Sequence, residues 1–461
     1  MKEWVVFLLL ISGFALSQPD SLYIIKSRKL KNIFEGNKRI QILTGDVLLG
    51  YKKTLFSGEN VFIYEDRAIA QDNIKIIFND SVKISADTLY YDRIKNYADV
   101  YGNCSLETPS YYMLSSKGSC FIDSALIILP VNVTITGRKV KEKITASYVT
   151  IKTSPEIIIY MFGNVRYSGE EISWVSDTAI FQPDSGKAYI TGKGLLFKKN
   201  DTMIFSRLII DKRSNSIIAE GCPTIKTGGK KITGETIKVH GDTISIKNGN
   251  ILSVEGENTE CISSPILSVN TRSEEIRSDS ETIITMYGRA GEDTTFLIAH
   301  NFIGKRDTAI FINAILHRKD LYIRGDTLKW LKGDTSANVF VSGSSTIWQL
   351  RPDNDTSTFI ASQRFMITFK GNEPHSLISP DTTLLKARDS LTEYNVKSSM
   401  ASLDIDSGKI SRAIFKNGEI NMKTESTIVH STFSEMEFKN DRIILKKNIK
   451  GKALIPRKNE K

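Results

Sequence analysis

One spacing of apolar residues returns along the chain. In ISADTLYYDRIKNYADVYGNCSL, residues 84–106, Ile84 and Ala86 are two apart, Leu89 follows after three, and Tyr91 after two more. The same offsets hold at Phe56, Gly58, Val61 and Ile63, and at Ile144, Ala146, Val149 and Ile151. They hold again at Ile232, Gly234, Ile237 and Val239, and at Ile323, Gly325, Leu328 and Trp330. Looser copies start near Met113, Ile172, Met203, Ile262, Leu297, Phe359, Val396 and Val429, at steps of about 26 to 37 residues. Steps of two place side chains on one face of a strand. The step of three breaks that parity, so the strand must bend or bulge to keep both halves facing inward. An Ala or Gly just before the break suits such a corner.

Each copy continues into a polar turn, such as DRIKN at 92–96, PDSGK at 183–187 or KRSNS at 212–216. A second alternating strand follows, as at Ala98, Val100 and Gly102, or at Ala188, Ile190 and Gly192. Gly-Asn or Gly-Asp pairs at 45–46, 102–103, 163–164 and 249–250 read as the turns that close it. One repeat is therefore a bent antiparallel hairpin, and repetition at this period predicts stacking edge to edge. The fold expected is all-β: an elongated solenoid of stacked bent hairpins. A β-sandwich would not explain five copies of one offset pattern, and the turns recur too soon for a membrane barrel.

The first residues, MKEWVVFLLLISGFALSQPD, change the picture of where the chain works. Their apolar run is too short for a comfortable membrane span, and Ala15 and Ser17 suit a cleavage site, so 1–17 reads as a signal peptide. Retention as an anchor is the alternative. The net charge of +10 comes from Lys and Arg spread along the chain, which suits an anionic partner or simply a solvated surface, not nucleic acid. Cys104, Cys120, Cys222 and Cys261 have no metal-ligand spacing; they read as small core residues or as thiols able to pair after export.

The sequence does not point to an enzyme. The histidines, His240, His300, His317, His375 and His430, are scattered, so no metal site and no cofactor is expected. No GxSxG elbow occurs, and GKAYITGKG at 186–194 lacks the GK[ST] of a phosphate loop. Asp87 and Asp326 occupy the same slot of the repeat, beside the corner, which favours a turn role over paired catalytic carboxylates.

KRIQILTGDVLLGYKKTLFSGENVFIYEDRAIAQDNIKI, residues 38–76, followed by the 84–106 stretch, resembles the OstA/LptA-like family of periplasmic lipopolysaccharide-transport proteins, which includes the soluble domain of LptD. Gly45-Asp46-Val47, Ala86-Asp87 and Tyr91 carry the resemblance. It extends over 38–255, with more divergent repeats of the same kind over 256–461. It implies a taco-like β-jellyroll with an apolar groove, in the periplasm or associated with the outer membrane. It also implies a non-catalytic role in outer-membrane biogenesis. The partners implied are lipopolysaccharide or a similar glycolipid and other OstA-like envelope proteins. The unpaired strand edges at the ends of such a stack separately predict head-to-tail addition of further copies of the chain, through the terminal segments around Ile40–Leu49 and Met436–Leu445. The groove-lining residues expected are Phe56, Val61, Ile63, Ile84, Ala86, Leu89, Tyr91, Ile144, Val149, Ile151, Ile232, Ile237 and Val239. A structural or adhesive surface solenoid with a filled core is the alternative.

Overall fold

The computed structural model describes residues 22–454, apart from 37, 79–81, 139–140, 256–257, 288–293, 306, 319–320, 334–335, 351–355, 371–372, 389–391, 407–408, 425–426 and 440–441. The expected signal peptide, 1–17, lies outside the described residues. The regular elements among the described residues are all β-strands. The chain forms two compact units, the first ending at Gly221 and the second beginning at Cys222. Each is a β-jellyroll solenoid of stacked, bent antiparallel hairpins. The change in repeat clarity at 255–256 falls inside the second unit, between the strands Thr243–Glu255 and Asn258–Asn270.

In the first unit the strand Val82–Asp92 shows how a rung is built. Val82, Ile84, Ala86, Leu89 and Tyr91 are buried, so the three-residue step from Ala86 to Leu89 is the corner. Residues 82–86 pair on one arm of the V, and 88–92 pair on the other. The returning strand, Tyr97–Glu107, rounds the same corner with a step of four, from Val100 to Cys104. The ladder slips to match: Ser85 faces Ser105, but Thr88 faces Tyr101. The extra residue is absorbed by Gly102 at a φ of 96°. Steps of three and four then alternate from strand to strand. Leu43 to Val47 turns through Gly45-Asp46, Ala70 to Ile74 through Asp72-Asn73, and Met161 to Val165 through Gly163-Asn164, all at positive φ.

This corrects the reading of the Gly-Asn and Gly-Asp pairs. Gly45-Asp46, Gly102-Asn103, Gly163-Asn164 and Gly249-Asn250 lie inside strands, at or beside the corner, and do not close them. The reason is antiparallel pairing. The returning strand rounds the bend in the opposite sense, and a bulge with left-handed residues restores its inward face. Glycine and asparagine tolerate that backbone.

The small residues before the break are needed because the corner is full. A Cβ on Gly58 would lie 3.0 Å from Ile74 Cδ1, and one on Gly325 would lie 2.4 Å from Val341 Cγ1. At other rungs of the second unit buried hydroxyls take this slot and satisfy one another. Ser264 lies 2.8 Å from Ser278, and Thr383 donates to Ser379 at 2.7 Å.

Candidate functional site: the space between the arms

In the first unit Phe56, Ile84, Ala86 and Ile144 face inward from one arm, and Val61, Ile63, Leu89, Tyr91, Val149 and Ile151 from the other. In the second unit Ile232 stands on one arm, and Ile237 and Val239 on the other. All are buried except Val239, which is half-buried. The structure brings Phe56, Val61, Leu89 and Tyr91 together around a void of about 10 Å³. That is room for a single water at most, ~10–15 Å³. Phe56 and Tyr91 meet across the arms with ring centroids 5.4 Å apart.

The mouth of the first unit is bridged at two places. Lys52, at the tip of one arm, is 2.6 Å from Asp123 at the tip of the other. Asp123 also accepts from Asn96 at 2.9 Å and from Tyr51 at 3.3 Å. The hydrogen bond that Lys52 donates to the carboxylate lowers the Asp123 pKa and raises the Lys52 pKa. At the second bridge Lys212 reaches across to Glu142 at 2.7 Å. Its ammonium lies 5.6 Å from the ring centroids of both Tyr167 and Phe181. Beneath it Tyr167 stacks on Trp174, and Tyr111 meets Phe181 edge-on. Burial pushes the Tyr111 phenol up, and the Tyr167 phenol up to about 12.

The second unit differs. Between its arms lies a cavity of about 490 Å³. Small-molecule sites run to ~300–1,000 Å³. Ile262, Ile284 and Leu297 wall it from one arm, and Ile276, Phe302 and Phe311 from the other. Trp330 closes one side, stacked on Phe369 at 5.6 Å. Charged side chains of both signs rim it, among them Lys230, Lys305, Lys332, Glu260 and Asp307. None of the expected lining residues touches this cavity. The signal for it was present in the looser copies starting at Ile262 and Leu297, and in Trp330 at the end of a clear copy. Lys212 and Glu142 had no such signal. They stand 70 residues apart in the chain, and no strand periodicity links the tips of opposite arms.

The carboxylates beside the corners are structural. Asp87 accepts the backbone N–H of Asn103, and Asp326 that of Ser344, each at 3.0 Å. Each thereby holds the bulge of the neighbouring strand. All four cysteines are free. Burial raises the thiol pKa of Cys104 to about 11 and that of Cys120 well above its ordinary value. Cys222 is exposed, which a core role does not describe. Among the described residues no cluster of His, Cys, Asp or Glu is arranged to hold a metal ion.

Bent rungs, apolar inner faces and a space between the arms define a β-jellyroll scaffold. Residues 19–117 match the model of a family described as OstA-like protein. The match contains Gly45-Asp46-Val47, Ala86-Asp87 and Tyr91. This is a transport family of the cell envelope, generally non-enzymatic, and the all-β fold fits it. No curated protein matches the chain.

Proposed function

We propose that this protein is a non-catalytic periplasmic carrier of lipopolysaccharide or a similar glycolipid, with acyl chains held between the arms and the polar head in water. The observation that carries the reading is the apolar, charge-rimmed cavity of the second unit, on a chain whose first repeats match the OstA-like family. The physics asks for such a space. Burying a methylene is worth about 0.8 kcal/mol, so an exposed chain of roughly twelve carbons costs on the order of 9 kcal/mol. A carrier crossing water must keep that chain covered at every step. Nearly equal rungs also make a shallow free-energy profile for sliding, so net direction comes from outside the chain.

The partners proposed are the glycolipid, other OstA-like envelope proteins and further copies of this chain. Among the described residues the rung formed by Tyr23–Lys26 and Lys29–Glu35 pairs on one side only, and Ile24, Ile25, Leu30 and Phe34 on it are exposed. An open strand edge is a template for another strand.

The test is mass spectrometry of lipid that copurifies with the full chain from its own envelope. A glycolipid in stoichiometric amount is expected. Clean protein that takes up no glycolipid on addition would instead favour a structural surface solenoid. The close packing of Phe56, Val61, Leu89 and Tyr91, which leaves a void of only about 10 Å³, favours that second reading for this layer of the first unit.

A further inference from the structure

Lys212 and Glu142 come from opposite arms of the first unit and meet above its interior. Glu142 is only 7% exposed and Lys212 is 38% exposed. One carboxylate oxygen takes the ammonium at 2.7 Å, while the other, Oε2, is buried and has no hydrogen-bond partner among the described residues. A half-satisfied buried carboxylate is poorly placed as pure scaffold, since a buried polar atom left without a partner keeps its desolvation cost. It fits a contact that is made and broken. The surroundings agree. Lys212 lies against the rings of Tyr167 and Phe181, so its ammonium sits in a cation–π setting without covalent or strand-ladder restraint. Tyr111, Phe181 and Trp174 fill the space directly below.

We propose that Lys212 and Glu142 form a clasp that closes the lateral mouth of the first unit, so that an acyl chain reaches the layer at Trp174 only when the clasp parts. This rests on the carrier reading and adds its control: the second unit already holds a cavity of about 490 Å³ between its arms, whereas the layer under the clasp is filled by Tyr111, Phe181 and Trp174 and has to be opened. Parting leaves Glu142 free to rehydrate and frees the Lys212 ammonium to meet an anionic head group. The clasp is thus broken most readily by the class of ligand it admits, an anionic amphiphile.

Two tryptophans report the two places. Trp174 lies under the clasp and Trp330 lines the second unit's cavity. The full chain is prepared with Trp4 and Trp348 changed to Phe, and with either Trp174 or Trp330 as the single reporter. A brominated stearic acid then serves as quencher. In the wild-type background Trp330 should be quenched and Trp174 shielded. Lys212→Met should bring half-quenching of Trp174 at about tenfold lower quencher, the shift expected for losing a charged hydrogen bond worth ~1.5 kcal/mol. Trp330 should not change. The reversed pair, Lys212→Glu with Glu142→Lys, should restore the shielding. If Lys212→Met does not fold, Glu142→Cys with Lys212→Cys, joined by a short bis-maleimide in a Cys222→Ser, Cys261→Ser background, should abolish Trp174 quenching while leaving Trp330 quenched. Trp174 quenching that is indifferent to all of these, with Trp330 quenched normally, overturns the clasp and leaves the carrier reading standing. No quenching of either reporter in any variant overturns both.

Discussion

At the scale of single residues, the corners set the rules. Gly102 has a φ of 96°, and a Cβ there would lie 2.2 Å from Asp87 Oδ2. Gly102→Ala should therefore destabilise by more than ~1 kcal/mol, from both the left-handed backbone and the clash. Asp87→Ala removes the acceptor for the Asn103 N–H and should cost about 1 kcal/mol. Urea denaturation would measure both, with hydrogen exchange at Asn103 rising in Asp87→Ala. Unchanged exchange there would show that the carboxylate does not hold the bulge. The equivalent pair at Asp326 and Ser344 predicts the same effect in the second unit.

At the scale of the element, a rung is held by what its two arms bury and by what joins their tips. Ile76 is fully buried on the strand Arg67–Phe78, so Ile76→Ala should cost about 2–5 kcal/mol. Because stacked repeats contact mainly their neighbours, exchange should rise most in the adjoining rungs. Uniform loosening of the whole chain would count against a repeat architecture. Ala86 is 6% exposed at a filled corner, so Ala86→Trp should overpack it by about 1–3 kcal/mol.

The tip bridge between Lys52 and Asp123 predicts a pH dependence. The Asp123 pKa is lowered, so its contribution is present above the ordinary carboxylate value of about 3.9 and is lost as pH falls through the lower folded value. The Lys52 pKa is raised, so its contribution is present below about 10.4 and is lost as pH rises through the higher folded value. The bridge should hold between these limits and open outside them. An NMR titration of the Asp123 carboxyl should show a depressed midpoint that Lys52→Met returns towards normal. A midpoint indifferent to Lys52 would refute the bridge.

At the scale of the whole molecule, the predictions concern edges and cargo. Residues 40–49 belong to the rung-forming strand Lys38–Tyr51, which is already covered by Lys29–Glu35 and Tyr23–Lys26. Edge contacts at that end should therefore map to 23–35. Photo-crosslinkers at Leu30 or Phe34 should trap residues of the strands Arg442–Lys446 or Lys450–Leu454 of another copy if copies add head to tail. Products joining only 23–35 to 23–35 would rule that order out. For cargo, a photo-crosslinker at Met286 in the cavity wall should label glycolipid, whereas one on the outer face at Phe296 should not.

Much of this was legible along the chain because it depends on near neighbours. The offsets at Ile84, Ala86, Leu89 and Tyr91 encode a strand that bends, and repetition of those offsets encodes a stack. Which face is inward follows from parity, and the two arms divide these residues as the spacing implies. The Gly-Asn pairs were visible, but a bulge and a turn use the same residues. Pairing with the neighbouring strand decides between them. The space between the arms was beyond reach for a further reason. Inward apolar residues look alike in sequence whether they fill the interior, as Phe56 and Tyr91 do, or wall a cavity, as Ile284 and Phe302 do. Volume is what remains after side chains from opposite arms have met. The tip contacts are likewise tertiary: Lys212 and Glu142 become neighbours only once the rungs between them have stacked.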